Sequence, residues 1–153
     1  MASDPEEAAH PVGQTSGSPQ RPGHRLARPV LDFDLDSEVA QLRAEESWRH
    51  GTRNAKTLVK EPDFRIVLVT LKRGARIEAH QAPGRLSIQT LMGRLRVGVG
   101  EQTIDLPARR ILALDPNVAH DVEAGADDDS AFLLTIAWPA GGSEAPTEGG
   151  ATA

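Results

Sequence analysis

The stretch KTLVKEPDFRIVLVTLKRGARIEAHQAPGRLSIQTLMGRLRVGVGEQTIDL, residues 56–106, divides into short apolar runs separated by turn residues. KTLVK, FRIVLVTL, LSIQTLM, RLRVGV and TIDL are each of strand length, and the breaks between them hold Gly, Pro, Asp or Lys-Arg-Gly. The pattern continues through RILAL (110–114), the turn DPN (115–117), AHDVEA (119–124), the loop GADDDS (125–130) and AFLLTIAW (131–138), and it stops at Pro139. Strands recurring about every ten residues between turn signals indicate an antiparallel sandwich or barrel.

Working outward, residues 36–48, DSEVAQLRAEESW, are good helix formers with a candidate N-cap at Asp36 or Ser37 and acidic residues near the start. Val39, Leu42, Ala40, Ala44 and Trp48 fall at helical spacings, which gives this segment a modest apolar face with Trp48 as its anchor. Residues 1–28 and 140–153 are rich in Gly, Pro, Ala, Ser and Thr and hold too few apolar residues to offset the entropy of ordering them. They are expected to be disordered. The organisation expected is therefore a disordered N-terminal tail (1–28), a helix-containing lead-in (29–54), a β-barrel (55–139) and a disordered C-terminal tail (140–153).

Composition narrows the function classes. The chain of 153 residues is the size of one domain. Aromatics make up 3% with no Tyr, so the core must be built from Val, Ile, Leu and Ala around Phe64, Phe132, Trp48 and Trp138. That leaves no stacking platform for single strands, and a net charge of -5 lacks the basic footprint that phosphate backbones require. No nucleic-acid partner is expected. Without cysteine there is no disulfide, thiolate nucleophile or thiolate-bound zinc, which fits a reducing compartment. No run approaches the roughly 20 apolar residues of a membrane span, and residues 1–25 carry no signal-peptide core. The expectation is a cytoplasmic protein with no membrane partner.

Two histidines carry the chemistry. His80 ends RIEAH, and His120 follows the DPN turn. With Gly74 and Gly93, their spacing resembles the cupin superfamily, in particular the cupin 2 conserved barrel. The first cupin motif runs Gly, five residues, His-x-His, three or four residues, Glu, six residues, Gly. Gly74, His80 and Gly93 match it, whereas Ala82 and Leu86 stand where the second histidine and the glutamate belong. The second motif runs Gly, five residues, Pro-x-Gly, two residues, His, three residues, Asn. His120 matches, with Pro116 supporting the turn, while Arg109, Asp115, Asn117 and Ala124 occupy the other marks. Asn117 is an understandable substitute for glycine, since Asn tolerates positive φ.

The resemblance implies an all-β fold: a small antiparallel jelly-roll (cupin) barrel, preceded here by one short N-terminal helix, and commonly homodimeric. It also implies a centre of three histidines and a carboxylate suited to Fe, Mn, Ni or Zn. Only His80 and His120 remain of that set, and two imidazoles leave a divalent ion short of the three or four protein ligands it normally has. Alternation along a strand places Glu78 on the face of His80, so His80, His120 and Glu78 form a reduced candidate metal set. The other reading of the two histidines is a hydrogen-bonded polar pair in a mostly apolar barrel, able to hold an anionic or carbonyl-bearing ligand.

The same alternation directs Leu86, Ile88 and Thr90 inward, so the candidate ligand-binding residues are His80, Leu86, Ile88, Thr90 and His120. Such a lining suits a small-molecule pocket and a filled core equally well. Arg76 and Arg85 lie near enough to steer an acidic ligand. No residue is assigned a catalytic role, because no nucleophile and base stand together by motif. Three functions stay open: a small-molecule-binding or sensing module with a degenerate metal site and an unidentified ligand; a metal-dependent oxygenase or isomerase; and a structural homodimer.

Overall fold

The computed structural model describes residues 29–139. The expected tails at 1–28 and 140–153 lie outside the described residues. Among the described residues, nine strands follow two short helices. They are β1 (Arg53–Glu61), β2 (Phe64–Leu71), β3 (Arg76–His80), β4 (Arg85–Met92), β5 (Arg94–Val99), β6 (Gln102–Pro107), β7 (Ile111–Leu114), β8 (His120–Ala124) and β9 (Ser130–Ala137). They form two sheets, ordered β1-β2-β9-β4-β7 and β3-β8-β5-β6, with every pairing antiparallel. This is a jelly-roll sandwich, mainly β, as the strand spacing implied.

The two sheets differ in texture because their outer faces differ. In β5, arginines alternate with apolar residues: Arg94 and Arg96 face out, while Leu95 and Val97 are fully buried. The outer face of the four-stranded sheet is accordingly a charged surface, with Arg94 on Asp105 and Arg76 on Asp121. Strand β2, by contrast, is apolar on both faces. Val67, Val69 and Leu71 enter the core between the sheets, and Leu68 lies under a helix with Leu42 and Leu58. A continuous apolar run such as FRIVLVTL is what a strand covered on both sides requires.

The helical lead-in differs in detail from the expectation over 36–48. Helix α1 spans Leu35–Ala44 and a second, α2, spans Glu46–His50. Asp34 is the N-cap, earlier than the sequence suggested, because its carboxylate accepts from the backbone N–H groups of Asp36 and Ser37. The break falls at Glu45, whose backbone is extended. There, buried Asn54 of β1 donates its amide to Leu42 O at 3.0 Å and to Glu45 Oε1 at 2.8 Å, which anchors the end of α1 to the sheet. The packed face is Leu35, Val39 and Leu42, while Ala40 and Ala44 are exposed. Trp48 anchors α2, 7% exposed, beneath Arg43 and Lys72.

All four positions that the motif reserves for glycine have a left-handed backbone: Gly74 (φ 76°), Gly93 (φ 77°), Arg109 (φ 78°) and Asn117 (φ 64°). Gly93 also lies too close to Asp129 and Ser130 to carry a Cβ. Arg109 is the costly substitute, since a left-handed conformation disfavours most L-residues by about 1–2 kcal/mol and glycine returns roughly 0.5–1 kcal/mol of that in chain entropy. Arg109→Gly should therefore stabilise the protein by up to about 1 kcal/mol, and Asn117→Gly by less, as read by denaturant melts. A loss of stability in Arg109→Gly would contradict this reading of the turn.

Candidate functional site

His80 ends β3 and His120 begins β8, and the two stand directly opposite in the ladder. The pairing is irregular. Ile77 faces Val122 and His80 faces His120, so three residues of β3 span the same distance as two of β8. This β-bulge reverses the alternation within RIEAH and turns the His80 ring toward His120. The ring centroids are 4.6 Å apart with their planes tilted by 55°.

Each ring is oriented in the same manner. His80 Nδ1 lies 2.8 Å from Glu78 O, and His120 Nδ1 lies 3.0 Å from Val118 O. A carbonyl only accepts, so both Nδ1 atoms carry the proton and, in the neutral rings, both Nε2 atoms present lone pairs. Burial lowers the His120 pKa from its ordinary 6.5; the hydrogen bond to Val118 O offsets part of this, His80 lowers it again, and Asp121 has the smallest effect, upward. His120 is 2% exposed, whereas His80 is partly open.

Glu78 does not join this pair. The bulge that brings His80 inward leaves Glu78 on the outer face, with its side chain 82% exposed and bonded to Arg76. The expectation that Glu78 shares the face of His80 assumed strict alternation, which the bulge breaks. Arg76 is held on the same outer face by Asp121, and Arg85 pairs with Asp115, so the charges of both are already partnered.

Leu86 lies in the histidine end of the core, 5% exposed, in one cluster with Ala82, Leu114, Ile136 and Trp138. Ile88 and Thr90 face the same interior but lie one and two steps deeper along β4. Ile88 is closely packed, and the Thr90 hydroxyl donates to Leu106 O at 2.9 Å. The structure thus gathers His80, His120 and Leu86 at one end and sets Ile88 and Thr90 in the filled interior. An open cleft of about 840 Å³ lies at the opposite end, where Gly74, Met92, Gly93 and Asp129 meet Arg43 and Lys72.

The architecture can be set beside known structures. A conserved protein of unknown function from Streptococcus pyogenes aligns over 75% of this chain and 93% of its own, at 18% identity and a TM-score of 0.55. A cupin superfamily protein from Desulfitobacterium hafniense aligns over 76% and 100%, at 16% identity and a TM-score of 0.59. The chain has the cupin fold. A cupin 2 conserved barrel domain protein from Leptotrichia buccalis aligns over 57% of this chain and 42% of its own, at 24% identity and a TM-score of 0.54. Neither a family model nor a curated protein sequence matches the chain.

The cupin fold raises the question of a metal, and the donor set answers it in part. Two imidazole Nε2 atoms are suitably presented, and hydrogen-bonded Nδ1 atoms are what orient histidine ligands generally. The remaining positions do not fit. Ala82 and Leu86 are buried apolar residues, Glu78 points away, and no group of three or more His, Cys, Asp or Glu converges among the described residues. A first-row divalent ion would need further ligands from outside these residues.

What sequence reading missed at this end is Arg65. It sits on a β2 position whose neighbours of the same parity, Val67, Val69 and Leu71, are all core, and that break in an apolar series was the available signal.

The buried His120 makes a directional prediction. Its folded pKa lies below the unfolded value, so the native state binds fewer protons, and its contribution to stability is complete above about pH 6.5. That contribution is lost as the pH falls toward the depressed folded pKa. Chemical denaturation between pH 7.5 and 5 should show declining stability in the wild type and a flatter profile in His120→Gln; identical profiles would show that the ring is not held neutral.

Proposed function

We propose that this cupin-fold chain is a cytoplasmic small-molecule-binding or sensing module whose site is the histidine end of the barrel. The observation that carries the reading is the paired presentation of His80 and His120: both Nδ1 protons are spent on backbone carbonyls, and both Nε2 atoms are left as acceptors. Two fixed acceptors beside an apolar wall of Ala82, Leu86 and Ile136 suit the hydroxyl or amine protons of a small ligand. The absence of cysteine supports a reducing compartment. A homodimer through the outer face of the five-stranded sheet is part of the reading, supported by Ile111, 61% exposed on the edge strand β7.

A metal-dependent enzyme of the oxygenase or isomerase kind is the second reading, favoured by the same Nδ1 arrangement. In it His80 and His120 would hold the ion, and the ion would act as the Lewis acid or redox centre.

Elemental analysis of protein purified without chelators separates the two when combined with melting-temperature shifts against small alcohols, sugars and polyamines. The first reading expects metal well below stoichiometry and unchanged in His80→Ala, with ligand-induced shifts in the wild type that His80→Ala loses. Stoichiometric Fe, Mn, Ni or Zn that disappears in His80→Ala would overturn it in favour of the second.

A further inference from the structure

A row of inward residues crosses the five-stranded sheet at the histidine end. In register it runs Lys60, Arg65, Ile136, Leu86, Leu114. Pairing between β2 and β9 is unbroken, so Arg65 keeps the parity of Val67, Val69 and Leu71 and faces the interior. A guanidinium enters where the strand pattern calls for a fourth aliphatic residue. Burial lowers its pKa with no neighbouring charge to offset the effect, and no carboxylate among the described residues forms an ion pair with it.

Its Nε is buried and has no hydrogen-bond partner among the described residues. The guanidinium carbon lies 5.1 Å from the ring centroid of Trp138, which is itself 7% exposed. The indole Nε1 of Trp138 is likewise buried without a partner. This ring is fixed in place: its backbone N–H donates to Asp63 O at 3.0 Å, and its Cδ1 lies 3.1 Å from where a Cβ on Gly84 would be. Gly84 belongs to the loop that follows His80, and Ala82 in that loop accepts from the Asn117 N–H at 2.7 Å, just before His120. Arg65, Trp138 and the two histidines therefore share one end of the barrel.

Two buried N–H donors, one of them on a cation, sit on neighbouring side chains and find no acceptor among the described residues. Native interiors leave few such groups, and a charged one least readily. A carboxylate completes both: it carries one negative charge against the one guanidinium, and its two oxygens can accept from two donors at once. A phosphate dianion would bring more charge and more acceptors than this pair can meet.

We propose that Arg65 and Trp138 form an anion subsite that takes the carboxylate of a small organic acid, whose remainder extends toward His80 and His120. The second half of this statement rests on the function proposed above; the anion subsite does not.

The test is a titration followed by NMR, using the indole N–H signals of Trp138 and of the remote Trp48 together with the histidine ring signals. The probes are acetate, glycolate, inorganic phosphate and the neutral acetamide. Acetate and glycolate should move the Trp138 signal saturably and leave Trp48 still, and acetamide should move neither. Arg65→Gln should weaken acetate binding by roughly tenfold or more, as expected for loss of a charge-assisted hydrogen bond. A Trp138 signal unmoved by either acid, or moved equally by acetamide, overturns the subsite, and phosphate binding tighter than acetate overturns the carboxylate assignment. If Arg65→Gln does not fold, Arg65→Lys keeps the charge but lacks the Nε–H, and undiminished acetate affinity there overturns the proposal. Movement of Trp138 by glycolate with silent histidine rings retains the subsite and removes the histidine reading; histidine movement with a silent Trp138 does the reverse.

Discussion

The single extra residue in β3 between Ile77 and His80 governs the candidate site. Without it, alternation would send His80 out with Arg76 and Glu78, and the barrel would hold one buried histidine. With it, His80 meets His120 ring against ring, and Glu78 stays outside on Arg76. Bulges re-aim side chains in this manner near sites, and here the re-aiming brings His80 inward where strict alternation would send Ala79. The ladder then locks both rings, since each Nδ1 bonds a carbonyl two residues back along the chain.

The two ends of the sandwich are specialised differently. At the Gly74 and Gly93 end, Asp129 joins the turns by binding the Arg43 side chain and the Arg73 backbone N–H. Those bonds tie helix α1 to the sheets, and among the charges that line the cleft beside them Arg43 and Asp129 bond each other while Lys72 lies over Trp48. At the histidine end two buried nitrogens, Arg65 Nε and Trp138 Nε1, have no hydrogen-bond partner among the described residues. That incomplete pairing is what the proposed carboxylate subsite rests on.

Much of the fold was legible in the chain because strand length, turn residues and period-two burial all agree. RLRVGV reads directly as arginines out and apolar residues in, and FRIVLVTL reads as a strand covered on both faces. Four left-handed turns were legible as motif positions, even where Arg109 and Asn117 replace glycine. The site was less legible for one reason: a bulge leaves no mark in residue type, so alternation placed Glu78 beside His80. Helix α1 starts and stops through side-chain bonds from Asp34 and Asn54, and the second of these is a tertiary contact that local propensity does not encode. Arg65 was visible as a charge at a core-facing position, but its significance depends on Trp138, which lies far along the chain.

The protonation of the two rings is the most direct check on this account. Long-range proton–nitrogen correlation NMR at a pH above 7.5 reports which nitrogen of each histidine bears the proton. Nδ1 should be protonated and Nε2 bare in both His80 and His120. A proton on Nε2 of either ring would mean that its backbone anchor is absent and that the paired acceptors on which the site depends do not exist.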